Sequence, residues 1–278
     1  MNDHVRAFIS VDMEGISGIV DRTMTGRTEA DYEKGRQLMV GDVNAAIEGI
    51  LSVDSEAIIK VCDGHGGMNN INPVELHRSA SIVRGSPKPL SQVSGIDGGF
   101  DAAMFVGYHS MKGTLRGTLS HTYSGSSIAS LHINGVEVGE TAMNAGIAGF
   151  YGVPLVLVTG DVAVTREAKA INPEIVTVAV KEAVSRHAAD CIHPEKAREM
   201  IRQGAVEAVK KMRSIKPHVV LQPVDFTIRF TEASRADAAM FIPTAERLDG
   251  MTVRFIHKDY ITAFNAFMAA VMCSSTVS

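Results

Sequence analysis

Short apolar runs recur along the chain, and longer stretches of mixed polarity separate them. The runs are rich in β-branched residues and too short for helices, which is typical of buried strands. They cover residues 7–11, 57–61, 103–106, 155–158 and 176–180. Residues 29–51, between the first two runs, have the pattern of a helix. Alternating strands and helices predict the α/β class, with a largely parallel central sheet flanked by helices on both faces.

The second half of the chain departs from this alternation. Asn134-Gly135 lies between two alternating segments and predicts a hairpin with a two-residue turn, followed by a helix over residues 140–150. Farther on, a long helix to about residue 213 precedes Pro217 and Pro223, and then come two β-like runs, residues 225–231 and 252–257, and a last helix, residues 259–273. We expect an α/β metal-binding catalytic domain over residues 1–190. A smaller α+β lobe over residues 191–278 is expected to complete the substrate site and the oligomer contacts.

Charge and composition exclude several classes of protein. The 27 basic and 31 acidic residues are scattered along the chain and give a net charge of -4. No cluster of basic residues could bind a phosphate backbone, so nucleic acid is not an expected partner. No stretch approaches the ~20 apolar residues that cross a bilayer. The N-terminus lacks the basic start and apolar run of a secretory signal. Cys62, Cys191 and Cys273 are far apart and form no C-x-x-C pair, which fits a reducing cytoplasm.

Acidic and imidazole side chains follow three of the predicted strands. Asp12 follows the first strand, Asp63 and His65 follow the second, and His109 follows the third. Ligands bind outside the carboxyl ends of the strands in an open parallel sheet, because the loops converge there. We therefore expect these side chains to meet at one edge.

The residue types at this edge are those that zinc prefers. Asp12 and Glu14 are one residue apart, so both carboxylates point to the same side if the strand geometry continues, and they repel unless a cation lies between them. Together with His65 and His109 they form an oxygen and nitrogen ligand set, to which Glu140 adds a third carboxylate. Five ligands exceed one tetrahedral site, which favours two metal ions with a bridging carboxylate.

Each of these residues also has a purely structural interpretation. Asp12 can cap a turn, and Glu140 can be a favourable charge in the first turn of a helix. His65 can be a loop residue and His109 a hydrogen-bonded core histidine. His121 follows His109 through a glycine-containing loop that can fold back over the same edge, which makes it a catalytic candidate. The shared edge, rather than any single residue, favours the metal site.

At these residues the sequence resembles the zinc D-aminopeptidases of the dipeptide-transport operon type, the DppA family. The similarity extends from about Arg6 to the final predicted helix. The matching segments are residues 10–18, Asp63-Gly-His65, residues 68–70, 107–109 and 119–121, Gly139-Glu140 and Asn144-Ala145. The glycine-rich segment 63–67 and the loop 112–117, which lacks an expected proline, depart from the family pattern and leave loop conformation and substrate preference open.

The resemblance implies a function and a set of roles. It implies an aminopeptidase that removes N-terminal residues, D-amino acids in particular, from short peptides or aminoacyl amides, and the cysteines and the N-terminus predict that it is cytoplasmic. It implies a ring-built homo-oligomer, a decamer, and two zinc ions per chain, with Asp12 as the bridging ligand and His121 as the catalytic histidine. Whether His121 acts as base, acid or oxyanion stabiliser stays open. The implied zinc ligands are Asp12, Glu14, His65, His109 and Glu140.

Two other functions use similar features. A two-metal phosphoesterase also gathers carboxylates and histidines at strand ends, but it favours cations beside the ligands, where only Lys112 and Arg116 qualify. A nucleotide-binding module without chemistry is suggested by Gly64, Gly66 and Gly67. No G-x-G-x-x-G follows the first strand, and the carboxylates in that turn would repel phosphate.

Overall fold

The computed structural model describes residues 4–277. Residues 1–3 of the predicted first domain and residue 278 of the predicted second domain lie outside this range. Two sheets and six α-helices form the architecture of this range. The strands are β1 (Arg6–Val11), β2 (Ile58–Asp63), β3 (Ala80–Val83), β4 (Ala102–Tyr108), β5 (Ile128–Ile133), β6 (Val136–Glu137), β7 (Leu155–Asp161), β8 (Val176–Ser185), β9 (Ala188–Cys191), β10 (Val224–Phe230), β11 (Glu246–Arg247) and β12 (Thr252–His257). The helices are α1 (Tyr32–Val53), α2 (Glu140–Phe150), α3 (Val162–Ile171), α4 (Pro194–Lys211), α5 (Ala233–Ala239) and α6 (Tyr260–Ser274).

The first sheet has seven strands in the order β3-β2-β1-β4-β7-β8-β9, all parallel to their neighbours except β9. Successive side chains of a strand point to opposite faces. In β1, Ile9 therefore packs with α1 and α4 on one face, and Phe8 packs with α2 and the second sheet on the other. A parallel sheet buried on both faces is the predicted α/β arrangement, and the prediction is confirmed.

The second sheet is antiparallel, in the order β11-β12-β10-β5-β6. Its β5-β6 hairpin turns at Asn134 and Gly135, whose φ angles of 49° and 80° suit the predicted two-residue turn. The hairpin buries Leu131 against Ile228 of β10, so the sheet joins strands from both sides of residue 190. Helix α4 packs on α1 rather than on this sheet. The division into two domains at residue 190 stays a prediction.

Most predicted elements lie within one to three residues of the observed ones. Helix α1 begins at Tyr32, later than predicted, because residues 26–31 form turns in which Glu29 N donates to Gly26 O at 2.8 Å. Helix α6 begins after Asp259, whose side chain accepts from Thr262 N and caps the helix. The sequence analysis did not predict α3, α5, β3, β9 or β11.

Among residues 4–277, no helix is both long enough and apolar enough to cross a membrane.

Candidate metal centre

Three neighbouring strands deliver the predicted residues to one edge of the first sheet. β1 lies between β2 and β4, and the register pairs Val11 with Asp63 on one side and Val106 on the other. The loops that leave these strands therefore start at the same level and carry Asp12, His65 and His109. This is the edge that the sequence predicts.

Asp12 lies between two imidazoles, and each of its carboxylate oxygens faces one of them. Oδ1 is 3.2 Å from Nδ1 of His65, and Oδ2 is 3.4 Å from Nε2 of His109. Glu14 Oε2 is 2.9 Å from the same His65 nitrogen, and Glu140 Oε1 is 3.4 Å from the same His109 nitrogen. The structure thus brings all five predicted ligands together, in two groups that share Asp12.

Each histidine is oriented by a backbone carbonyl on its far side. His65 Nε2 donates to Thr25 O at 2.9 Å, and His109 Nδ1 donates to Ser110 O at 3.0 Å, because a carbonyl can only accept. The opposite nitrogen of each ring then faces the carboxylates. Metal-binding histidines in proteins show the same arrangement, in which the second N–H is fixed by a carbonyl or carboxylate.

His121 completes the cluster from the long loop after β4. Its ring stacks on that of His109, with 4.0 Å between centroids and 16° between planes. Nδ1 donates to Leu119 O at 2.9 Å, which leaves Nε2 facing Glu140 Oε1 at 3.7 Å. The loop does fold back over the edge as the sequence suggests. The side chain of His121 is 20% exposed, against 1% for His109, so a ligand in the cleft can reach His121 but not His109.

The carboxylates of Asp12 and Glu140 are buried and still ionised. Burial raises the pKa of Asp12, but the neighbouring imidazoles of His109 and His65 outweigh this effect and hold it well below its usual range. Burial also raises the pKa of Glu140, and the charge of His109 more than reverses it. The two histidine pKa values move the opposite way: burial lowers that of His109, yet the charges of Glu140 and Asp12 raise it well above normal. The site therefore favours bound positive charge.

The residues fit a metal pair in their chemistry. Two imidazoles and three carboxylates are ligand types that zinc takes up. His109 Nε2 is buried and has no hydrogen-bond partner within residues 4–277, although it points at Asp12 and Glu140. A buried nitrogen left without a partner is costly unless something absent from the protein chain binds it.

A polar network holds Glu140 in place at the first position of α2. Gln92 Nε2 donates to Glu140 Oε2, and Tyr123 N donates to Oε1 at 2.7 Å. The Gln92 side-chain oxygen in turn accepts from Asn144 Nδ2 at 2.7 Å. The N-terminal end of a helix also favours a negative charge. Sequence reasoning missed Gln92, since nothing near it in the chain marks it.

Lys181 holds the loop that carries Glu14. This lysine of β8 is 2% exposed, and its ammonium donates to the carbonyls of Glu14 at 2.6 Å, Ile16 at 3.0 Å and Ile19. Burial lowers its pKa to about 8, so it remains mostly protonated at neutral pH. Sequence reasoning missed Lys181 as well, although a lysine within a run of buried strand residues is itself a signal.

Two close backbone approaches fix the remaining loops. Gly15 N donates to Gly107 O at 2.8 Å, and Gly107 has a φ of +70°. A Cβ atom at Gly107 would lie 2.4 Å from Asp12 O.

Asp63 is not part of the cluster, because its carboxylate accepts from the backbone N–H groups of Asn70 and Ile71. These hydrogen bonds shape the loop that carries His65.

A cleft of about 300 Å³ opens over the cluster. The predicted ligands Asp12, Glu14, His65 and Glu140 line one side of it. Apolar side chains of α6, Met268, Val271 and Met272, line the other side. A polar end and an apolar wall suit a small molecule that carries both a charged group and a hydrocarbon side chain.

Known proteins share this architecture. A family model described as peptidase M55, D-aminopeptidase, matches residues 5–269. The chain is 35% identical over 269 residues to a D-aminopeptidase of Bacillus subtilis strain 168, with 95% of this chain and 96% of that protein covered. It is also similar to a solved structure of the Zn-dependent D-aminopeptidase DppA from Bacillus subtilis, described as a self-compartmentalizing protease. That similarity has a TM-score of 0.94 and 33% identity, and it covers 99% of both chains.

Proposed function

Since the chain belongs to the peptidase M55 family of D-aminopeptidases, we propose that it is a two-zinc aminopeptidase. Its substrates are short peptides or aminoacyl amides, from which it removes the N-terminal residue, a D-amino acid in particular. The membership agrees with the resemblance inferred from the motifs. The single observation that carries the proposal is the shared position of Asp12 between the two imidazole groups.

Asp12 is the proposed bridging ligand. Glu14 and His65 would hold one ion with it, and His109 and Glu140 would hold the other, as the two groups of contacts suggest. Support comes from the ionised state of the buried Asp12 and Glu140 and from the unpaired His109 nitrogen. Three carboxylates this close together in the folded chain need positive charge between them.

When bound, a zinc pair lowers the pKa of a water molecule to supply hydroxide and polarises the scissile carbonyl. The chain's own residues do the rest. The carboxylates and imidazoles would hold the metal pair, and apolar side chains of α6 line the opposite side of the cleft. His121, with Nδ1 tied to Leu119 O, exchanges a proton at Nε2 or stabilises the oxyanion as an imidazolium.

The C-terminal part is proposed to complete the substrate site. Helix α6 supports this, because Met268, Val271 and Met272 form the wall of the cleft opposite the carboxylates. The apolar wall has room for the side chain of the first residue of the substrate.

Metal content and stereochemical preference test the proposal together. Purified protein is expected to contain close to two zinc ions per chain and to cleave D-aminoacyl amides faster than their L counterparts. Asp12→Ala is expected to lose more than one ion, because a bridging ligand holds both. Full activity in a strong chelator, or cleavage of phosphate esters in preference to aminoacyl amides, would contradict the proposal.

We also propose a ring-built homo-oligomer, a decamer, in the cytoplasm. The relative described as self-compartmentalizing supports assembly, and Phe241, 87% exposed, supplies apolar surface for it. The free thiols of Cys62, Cys191 and Cys273 support a reducing compartment. Light scattering at micromolar concentration and cell fractionation test these two proposals, which a monomer or an exported protein would contradict.

A further inference from the structure

A second cavity adjoins the metal cleft and shares His121 with it. This cavity has a volume of about 840 Å³ and lies under the loop that joins β4 to β5. Residues 112–117 of that loop form one side, and Val184, Ser185 and Arg186 at the end of β8 form the other. Because His121 lines both spaces, a molecule bound at the metal cleft can extend past His121 into the second cavity.

The cavity is cationic. Lys112, Arg116 and Arg186 line it, and no Asp or Glu is among its lining residues. Within residues 4–277 none of the three forms an ion pair with a carboxylate, whereas the chain as a whole has a net charge of -4. Burial lowers the pKa of Lys112, and the nearby charge of Arg186 lowers it further. These positive charges are close together and lack a negative partner.

Backbone carbonyls hold two of the three cations in place. Lys112 Nζ donates to Gly125 O at 2.9 Å and Ile128 O at 2.8 Å. Arg186 donates through Nε and Nη2 to Ser120 O at 3.3 Å. Carbonyls orient these side chains without neutralising them. Such an arrangement leaves a fixed positive field in the cavity that an anion can enter.

Arg116 is the cation available to a ligand. It is exposed, and its side chain has no hydrogen-bond partner in the described range. Its backbone has a φ of +55°, in the left-handed region, which places the residue at the tip of a tight loop. A guanidinium with five unengaged N–H donors matches the two oxygens of a carboxylate.

We propose that this cavity binds the C-terminal carboxylate of a short peptide whose N-terminal residue lies at the metal cleft. The inference rests on the proposed aminopeptidase function and adds to it a subsite for the free C-terminus of the substrate. Each further residue of an extended peptide adds about 3.5 Å. In a di- or tripeptide the carboxylate is therefore only one or two residue lengths beyond the scissile bond.

The test compares a D-aminoacyl dipeptide with the same dipeptide carrying a C-terminal amide. For the wild type, kcat/KM is expected to be higher for the free acid. In Arg116→Ala the KM for the free acid is expected to rise about 10-fold, with little change in kcat. This effect is at the low end for a charge-assisted hydrogen-bonded pair, because Arg116 is exposed to solvent. The amide is expected to be cleaved as before. Arg116→Lys keeps the charge and the same strained backbone, so it is expected to retain most of the preference.

Two controls make the outcome decisive. Arg213→Ala removes an exposed arginine after α4, away from both cavities, and is expected to change neither substrate. Arg186 is not the residue to replace, because it holds Ser120 O beside His121. If Arg116→Ala lowers cleavage of acid and amide alike, or of neither, the carboxylate site is refuted. A wild type that cleaves neither substrate would instead refute the proposed function itself.

Discussion

Replacing Lys181 by methionine tests how far the metal site depends on a group that touches no ligand side chain. Methionine has a similar length but cannot donate to the carbonyls of Glu14, Ile16 and Ile19. Three hydrogen bonds from a charged donor contribute about 1.5–3 kcal/mol each. Part of this is offset, because a buried ammonium no longer has to be desolvated at a cost of several kcal/mol. We expect a net loss of about 2–5 kcal/mol in the free energy of unfolding.

The assay is urea unfolding of metal-free protein, with zinc affinity measured separately by titration. Lys169→Met is the matched control, since Lys169 also donates to two carbonyls, Pro173 O at 2.8 Å and Ile175 O at 2.6 Å, but is exposed and distant from the site. It is expected to cost less than about 1 kcal/mol and to leave zinc affinity unchanged. Lys181→Met is expected to weaken zinc binding because the Glu14 loop loosens. Equal effects of the two substitutions, or unchanged zinc affinity in Lys181→Met, would refute the reasoning.

Three further predictions concern other parts of the chain. His121→Ala is expected to keep its zinc while kcat falls by roughly 10²- to 10⁴-fold; loss of zinc in parallel with activity would make His121 a ligand. Burial raises the pKa of Asp42 to about 7, so in metal-free protein this carboxyl makes the free energy of unfolding fall as pH rises from about 4 to about 7. Asp42→Asn should remove roughly 3 kcal/mol of that fall between about pH 5 and pH 8 in urea unfolding, and an unchanged slope would contradict this. Gly107→Ala should cost at least about 2 kcal/mol and lower zinc occupancy, because its Cβ collides with the Asp12 backbone; a normal melting temperature and metal content would contradict it.

The strand ends could be located from the sequence because apolar runs of strand length alternate with helical stretches. Parallel order then places Asp12, His65 and His109 at one edge without any knowledge of side-chain contacts. That rule could not predict that Glu140 lies beside these three residues, because Glu140 begins a helix and does not follow a strand. In the sequence it was only a carboxylate of the right type, and the family motif singled it out.

The supporting residues could not be predicted because their roles depend on contacts between distant parts of the chain. Lys181 bonds to Glu14 across 167 residues, and Gln92 bonds to Glu140 across 48. Local pattern holds no information on either pair. The same limit applies to the second sheet, where β5 pairs with β10 although most of the first sheet's later strands lie between them in sequence.

The carboxylates of Asp12, Glu14 and Glu140 become neighbours only when the chain folds. Their mutual repulsion is therefore present in the native state and almost absent from the unfolded one, and in the metal-free protein the imidazoles of His65 and His109 offset it. An ion that binds the folded chain alone stabilises it further: at a free concentration 1,000 times its dissociation constant it adds about 4 kcal/mol to native stability. The supply of metal in the cell would then set the lifetime of the protein, through the fraction exposed to proteases, as well as its rate of turnover.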